Sequence, residues 1–168
     1  FPYLSKVSLE KGCSPMTNEG LKKLTSLKKL WIDDKSKITP GGYIPSSITY
    51  LHVDDDGSID LTYLITDQSL SKLPLLTRLD ASYSSITCAE LPLSLKVLLL
   101  DGCPNVTLDN VARLTNLKFL SVFDCDTQLD LVVTKLNNLR ALSTNSKRAD
   151  LGDYVSKLTN LTTLIMYD

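Results

Sequence analysis

The sequence lacks the residues from which most enzyme and metal sites are built. It contains one histidine, His52, so a site made of several histidines is excluded. No two of its four cysteines are spaced Cys-x-x-Cys, and there is no glycine-rich phosphate loop and no His-Glu-x-x-His motif. These absences predict that the chain is not an enzyme and that it binds no metal or cofactor.

The sequence also lacks a charge excess and long apolar runs. Its 18 Lys+Arg against 19 Asp+Glu give a net charge of -1, whereas nucleic-acid binders usually carry a clear basic excess. No apolar run is longer than the four residues of Val97–Leu100, and a transmembrane helix needs about 20 apolar residues. We therefore predict no nucleic-acid partner and no membrane insertion by this segment.

Leucine, by contrast, is abundant, with 33 of the 168 residues. The motif Leu-x-x-Leu-x-Leu, with apolar substitutes, starts at Leu4, Leu27, Ile48, Leu76, Leu95, Leu117, Leu139 and Leu161. The last three intervals are each 22 residues. Alternating apolar positions at the end of each motif predict a short strand with one buried face.

The segments between these motifs differ from one another. Two of them begin at Thr17 and Thr66 and continue with apolar residues at helical spacing, which predicts short helices capped by threonine. Two others carry proline at Pro45 and Pro92. Since proline disfavours a helical residue before it, these two segments are predicted to be extended.

These repeats resemble the leucine-rich repeat family over nearly the whole chain. The segment at Cys103 is similar to the cysteine-containing repeats of F-box-type proteins, and the Leu-Thr-Asn-Leu steps are similar to internalin-type repeats. The resemblance implies an α/β solenoid with a curved parallel sheet on the concave face and short helices or extended segments on the convex face. We expect one domain of about eight strand repeats over residues 1–168, within a longer protein.

Such a solenoid would display the third, fifth and seventh positions of each motif on its concave face. Eight large side chains at these positions are expected to be exposed: Trp31, Tyr50, Val97, Leu99, Phe119, Phe123, Ile165 and Tyr167. Exposed aromatic groups on one face indicate an interaction site. The predicted partner-binding residues are Trp31, Asp33, Tyr50, His52, Asp54, Arg78, Asp80, Leu99, Asp101, Phe119, Phe123 and Tyr167.

Acidic residues recur at the seventh position, at Glu10, Asp33, Asp54 and Asp101. Like charges on adjacent strands repel one another, so a basic patch on a protein partner would relieve the repulsion. The alternative is a row of solvated carboxylates, screened by water and salt.

An acidic run, the single histidine and the cysteines each have a simpler structural explanation than a functional site. The run from Asp54 to Asp60 does not have the spacing of an EF-hand loop, which favours a turn over a calcium site. His52 stands near Asp54, but no nucleophile is identifiable. The cysteines, Cys13, Cys88, Cys103 and Cys125, are expected to be small buried hydrophobes.

The leading functional hypothesis is therefore a module that binds a protein partner on its concave face. The alternatives are a structural spacer, the substrate-recognition arm of a ubiquitin-ligase adaptor, an internalin-like surface adhesin, or the recognition part of an enzyme. The absence of disulfide-rich caps favours an intracellular location, whereas the glycosylation sequons at Asn105 and Asn160 favour a secreted or cell-surface one.

Overall fold

The computed structural model describes residues 2–9, 16–33, 43–54, 65–125, 135–145 and 151–167. These residues form one sheet of eight parallel strands in chain order. The strands are β1 (Lys6–Leu9), β2 (Lys29–Asp33), β3 (Tyr50–Asp54), β4 (Arg78–Asp80), β5 (Val97–Leu99), β6 (Phe119–Ser121), β7 (Ala141–Asn145) and β8 (Thr163–Tyr167). The predicted α/β solenoid is confirmed.

A forked hydrogen bond joins each strand to the strand before it. The N–H groups of Lys28 and Lys29 both donate to the carbonyl of Ser5, at 2.9 and 3.0 Å. The same arrangement is repeated at every step as far as β8, where Thr162 and Thr163 share one carbonyl. Because all seven steps keep one register, equivalent residues of successive repeats lie directly opposite each other.

The core consists of leucine columns that run across the repeats. The fourth motif position is at most 1% exposed in six successive strands, at Leu30, Leu51, Leu79, Leu98, Leu120 and Leu142. One repeat alone has no second layer that could cover these side chains. Burial of apolar surface therefore comes from stacking, and the stability of each repeat depends on its neighbours.

Short helices lie between some of the strands: α1 (Asn18–Lys22), α2 (Asp67–Leu70), α3 (Leu108–Ala112) and α4 (Leu151–Val155). The predicted caps are present, since Thr17 Oγ1 accepts from the N–H of Gly20 at 3.2 Å and Thr66 Oγ1 from that of Ser69 at 3.1 Å. The two proline-containing segments, residues 43–49 and 81–96, contain no helix. The prediction that proline prevents a helix here is confirmed, but turns at residues 46–47, 82–83, 89–90 and 93–94 interrupt both segments, so they are not extended throughout.

Polar side chains just before the first leucine of a motif form hydrogen bonds to the preceding repeat. Asn160 Nδ2 donates to the carbonyl of Asn137 at 2.7 Å, and Ser94 Oγ donates to that of Leu76 at 2.7 Å. The Asn of the Leu-Thr-Asn-Leu step is thus a link between repeats. Asn160, which belongs to one of the two sequons, takes part in this structural link.

The cysteines are buried as expected, with an additional role. Cys88 and Cys103 are buried and Cys125 is half-buried, whereas Cys13 lies outside the described residues. Cys103 Sγ donates to the carbonyl of Ala81 at 3.1 Å, and Cys125 Sγ to that of Leu100 at 2.8 Å. Burial raises the pKa of the Cys125 thiol to about 11, so these thiols stay protonated donors between repeats.

The chain leaves several strands through a left-handed residue. Tyr83, Gly102 and Asp124 follow successive strands and have φ of 61°, 63° and 53°. A Cβ on Gly102 would lie only 2.4 Å from Cδ1 of the Tyr83 ring. A left-handed conformation favours glycine, but Tyr83 and Asp124 also adopt it, so the close approach to the Tyr83 ring is what distinguishes position 102.

We predict that Gly102→Ala lowers the free energy of unfolding by about 2 kcal/mol, because it adds backbone strain and a clash with Tyr83. The matched control is Gly152→Ala in α4, where a Cβ has no atom within 4 Å. It should leave stability unchanged or raise it by up to about 1 kcal/mol. Urea unfolding followed by circular dichroism measures both, and equal midpoints for the two variants would contradict the assignment.

Candidate functional site

The strand register arranges the outward-facing residues in two rows across the whole sheet. The third-position row is Lys6, Lys29, Tyr50, Arg78, Val97, Phe119, Ala141 and Thr163. The fifth-position row is Ser8, Trp31, His52, Asp80, Leu99, Ser121, Ser143 and Ile165. The predicted residues of these two rows share one face of the sheet, called here the concave face; at the seventh position, the register pairs Asp33 with Asp54 and Asn145 with Tyr167.

The large side chains of the concave face are less exposed than the sequence predicted. Only Tyr167, at 51%, is exposed. The other seven are half-buried: Trp31, Tyr50, Val97, Leu99, Phe119, Phe123 and Ile165. The expectation that all eight are exposed is therefore wrong, since neighbouring strands lie only about 4.8 Å apart and large side chains cover one another.

Two aromatic rings, one on β2 and one on β3, contact each other on the concave face. The Trp31 and Tyr50 ring centroids are 4.6 Å apart, with planes tilted by 56°; we call this pair the Trp31–Tyr50 stack. Lys6 Nζ lies 4.6 Å from the Trp31 centroid, and Arg78 Cζ lies 5.3 Å from the Tyr50 centroid. Cation–π contacts therefore hold the stack at both ends.

A shallow cavity of about 410 Å³ opens beside the stack. It is lined by Lys29, Trp31, Thr49, Tyr50, Thr77 and Arg78. The two threonine hydroxyls donate to main-chain carbonyls, Thr49 to Lys28 and Thr77 to Thr49, each at 3.1 Å. Lys29 and Arg78 are thus the charged hydrogen-bond donors that line the cavity.

A second aromatic pair lies toward the end of the solenoid. Phe123 and Tyr167 meet edge to face, with centroids 5.2 Å apart. Their strands are separated by β7, whose Asn145 lies opposite Tyr167. Phe119 and Leu99 are half-buried on the strands between the two aromatic pairs. Apolar surface therefore continues along the concave face.

A hydrogen-bonded His–Asp pair occupies the middle of the face. His52 Nδ1 and Asp80 Oδ2 are 2.8 Å apart on adjacent strands. Ser82 also donates to Asp80, from Oγ at 2.9 Å and from N at 3.4 Å. Burial opposes ionisation of Asp80, but the hydrogen bonds from His52 and Ser82 outweigh it and lower the pKa of this carboxyl.

Asp101 makes contacts within the chain that the sequence did not predict. Its Oδ1 accepts from Ser121 Oγ at 2.6 Å and from the N–H of Phe123 at 2.9 Å. Its carboxylate therefore stabilises the turn after the next strand. Its contact with a cationic partner stays a prediction.

The remaining acidic residues are only partly defined. The register places Asp33 opposite Asp54, but the side chains of these two residues lie outside what the structure describes. Glu10 and residues 55–60 of the Asp54–Asp60 run, the candidate calcium loop, also lie outside it. Among the described residues, no group of three or more His, Cys, Asp or Glu is placed to hold a metal. In the same ranges no helix is long and apolar enough to cross a membrane.

The concave face is electrically polarised from one edge to the other. Where the strands begin, the second and third motif positions carry Lys6, Lys28, Lys29, Arg78, Lys96, Lys118 and Arg140. Toward the strand ends, the acids are Asp33, Asp54, Asp80, Asp101 and Asp124. We call these the basic edge and the acidic edge. The repeated motif positions of these lysines and arginines are the sequence signal that could have predicted the basic edge.

Asp80 makes folding stability sensitive to acid. A carboxyl with a lowered pKa stabilises the fold above its ordinary value of 3.8, and this contribution disappears as the pH falls through the folded-state pKa. We predict that the Asp80→Asn variant loses less unfolding free energy than the wild type between pH about 5 and about 3. Urea unfolding over this range measures the difference.

The control for that series is Glu90→Gln, which removes the same charge at an exposed carboxyl. It should lose stability in parallel with the wild type. Identical acid profiles for Asp80→Asn and the wild type would show that Asp80 contributes no such linkage.

Comparison with solved structures supports the fold. The chain is similar to internalin C2 from Listeria monocytogenes, with 22% identity and a TM-score of 0.71 over 98% of this chain and 74% of that one. It is also similar to an internalin, inlF, from the same organism, with 22% identity and a TM-score of 0.56 over 89% of this chain and 45% of that one. No family model matches, nor does any curated protein sequence. The leucine-rich repeat solenoid is thus established by fold similarity.

Proposed function

We propose that the concave face binds a protein partner, with the Trp31–Tyr50 stack as its anchor. The observation that carries this proposal is that Trp31, Tyr50 and Arg78 together line one cavity on the sheet. Trp, Tyr and Arg are the residues most enriched at binding hot spots. Each ring is half-buried, so a partner would complete the desolvation of groups that are already partly enclosed.

The strands make this surface rigid, which lowers the entropic cost of binding. Trp31 lies between its cross-strand neighbours Ser8 and His52, and contacts with Lys6 and Tyr50 restrict its ring. An anchor ordered before binding loses less side-chain freedom in the complex. The extended surfaces of stacked repeats are typical of protein recognition for the same reason.

The polar centre supports binding better than it supports catalysis. In a serine triad the hydroxyl must contact the imidazole, which in turn contacts the carboxylate. Here the Ser82 hydroxyl donates to Asp80 and not to the ring of His52. This order does not activate the hydroxyl as a nucleophile. We therefore assign His52, Asp80 and Ser82 a positioning role within the binding face.

The acidic edge gives the partner an orientation in this proposal. Asp33 and Asp54 lie on adjacent strands in register, and basic side chains of the partner would reduce their repulsion. Asp80 and Asp101 contribute less to such contacts because they already accept hydrogen bonds from the chain itself.

Replacement of the apolar anchors tests the proposal. We expect Trp31→Ala and Phe119→Ala each to weaken partner binding by about 1–3 kcal/mol, which is roughly 5- to 150-fold. Matched controls are Tyr43→Ala and Leu93→Ala, two exposed residues outside the concave face. The measurement is affinity capture from lysate of the source organism, quantified by mass spectrometry, with circular dichroism to verify folding.

A protein retained by the wild type and both controls, but lost with the anchor variants, would support the proposal. Equal retention by all five folded proteins would overturn it. The spacer hypothesis, in which the shape of the solenoid matters and its concave side chains do not, would then lead.

A further inference from the structure

We propose that the cavity beside the Trp31–Tyr50 stack receives a carboxylate side chain from an acidic segment of the protein partner. This inference rests on the proposed function, because it specifies what part of the partner occupies that site. The partner would be acidic at the cavity, whereas it would be basic where it meets the acidic edge.

The charges around the cavity carry the inference. Lys29 and Arg78 line it, and Lys6 lies over the adjoining Trp31 ring. Among the residues that the structure describes, neither Lys29 nor Arg78 forms an ion pair, since the pairs present are Lys22–Glu19 and His52–Asp80. Their strands are separated by β3, and a carboxylate placed in the cavity between them would be attracted to both cations.

The rings make the cavity suited to an anion that is attached to apolar atoms. Arg78 is already placed over the face of Tyr50, 5.3 Å from its centroid, so the guanidinium is oriented before a ligand arrives. An arginine guanidinium can donate two parallel hydrogen bonds to one carboxylate. The methylene groups of a glutamate, or an aromatic neighbour in the same segment, would pack on the Trp31–Tyr50 stack.

The acidic edge limits the kind of anion that fits. Lys29 and Arg78 stand at the third motif position, whereas Asp33 and Asp54 stand at the seventh, about 13 Å along a strand at a rise of 3.3 Å per residue. This exceeds the Debye length of about 8 Å at physiological ionic strength, so these charges act separately. Asp80 stands nearer, two residues from Arg78, and its carboxylate is hydrogen-bonded to His52 and Ser82. A polyanion such as a nucleic acid or sulfated glycan would extend its charge toward the acidic edge and be repelled. A protein segment can present a carboxylate at one edge and a basic residue at the other.

Tryptophan fluorescence provides a direct test, since Trp31 is the only tryptophan in the sequence. The probe is the capped peptide Glu-Glu-Phe-Glu-Glu, with Gln-Gln-Phe-Gln-Gln as its neutral counterpart, titrated at low ionic strength. We expect a saturable change in Trp31 emission with the acidic peptide, weakened by added salt. The neutral peptide should give a much weaker response.

Variants separate the cavity from the general field of the basic edge. The double variant Lys29→Gln, Arg78→Gln should bind the acidic peptide about tenfold more weakly. Lys118→Gln removes a charge from the same edge outside the cavity, and its affinity should stay within about twofold of the wild type. Circular dichroism verifies that each variant is folded.

Three results would overturn the inference. These are equal affinity for the two peptides, an equal loss in Lys118→Gln and the double variant, or tighter binding of a heparin hexasaccharide than of the acidic peptide. Failure here is distinguishable from failure of the proposed function. If the acidic peptide does not bind but capture of the partner still depends on Trp31, the concave face binds a protein and only the carboxylate assignment is lost.

Discussion

The forked hydrogen bond between successive repeats is the interaction on which the rest of this structure depends. One carbonyl before each strand accepts two N–H groups from the next repeat, and this happens at all seven steps. The fork fixes the register, and the register places leucine over leucine in the core. Hydrophobic burial between neighbouring repeats stabilises the same geometry that these backbone hydrogen bonds require. Stacking therefore supplies both the stability and the order of the surface.

The same register brings repeated sequence positions together on one surface. Residues that are 19 to 28 apart in sequence become neighbours about 4.8 Å apart across the strands. This brings Trp31 against Tyr50 and His52 against Asp80. It also gathers basic residues at one edge of the sheet and acidic residues at the other. The charged edges and the Trp31–Tyr50 stack thus arise from the choice of residue at outward-facing positions of each repeat.

The repeat period made the fold predictable from sequence. All eight strands begin two residues after the motif starts, from Lys6 after Leu4 to Thr163 after Leu161, because the motif itself encodes the buried positions. The site was predictable as a set of outward-facing residues. Their mutual contacts were not, since they depend on rotamers and on neighbouring repeats.

Asp80 and Asp101 illustrate this limit. The sequence placed His52 beside Asp54 on the same strand, whereas the structure also joins His52 to Asp80 across an interval of 28 residues. Asp101 is predicted to face a partner, and the sequence did not show that its carboxylate also accepts hydrogen bonds from a serine and a main-chain N–H of the next repeat. The exposure of the aromatic residues was overestimated for a related reason, because large side chains on closely spaced strands shield one another.

Hydroxyl-radical footprinting of the chain with its captured partner tests the central claim most directly. The chain carries oxidisable aromatic rings on and off the proposed binding surface: Trp31 and Tyr50 lie on the concave face, and Tyr43 lies outside it. If the concave face binds the partner, oxidation of Trp31 and Tyr50 falls in the complex while that of Tyr43 stays constant. Protection of Tyr43 with unchanged oxidation of Trp31 and Tyr50 would contradict the account and place the partner on the other side of the solenoid.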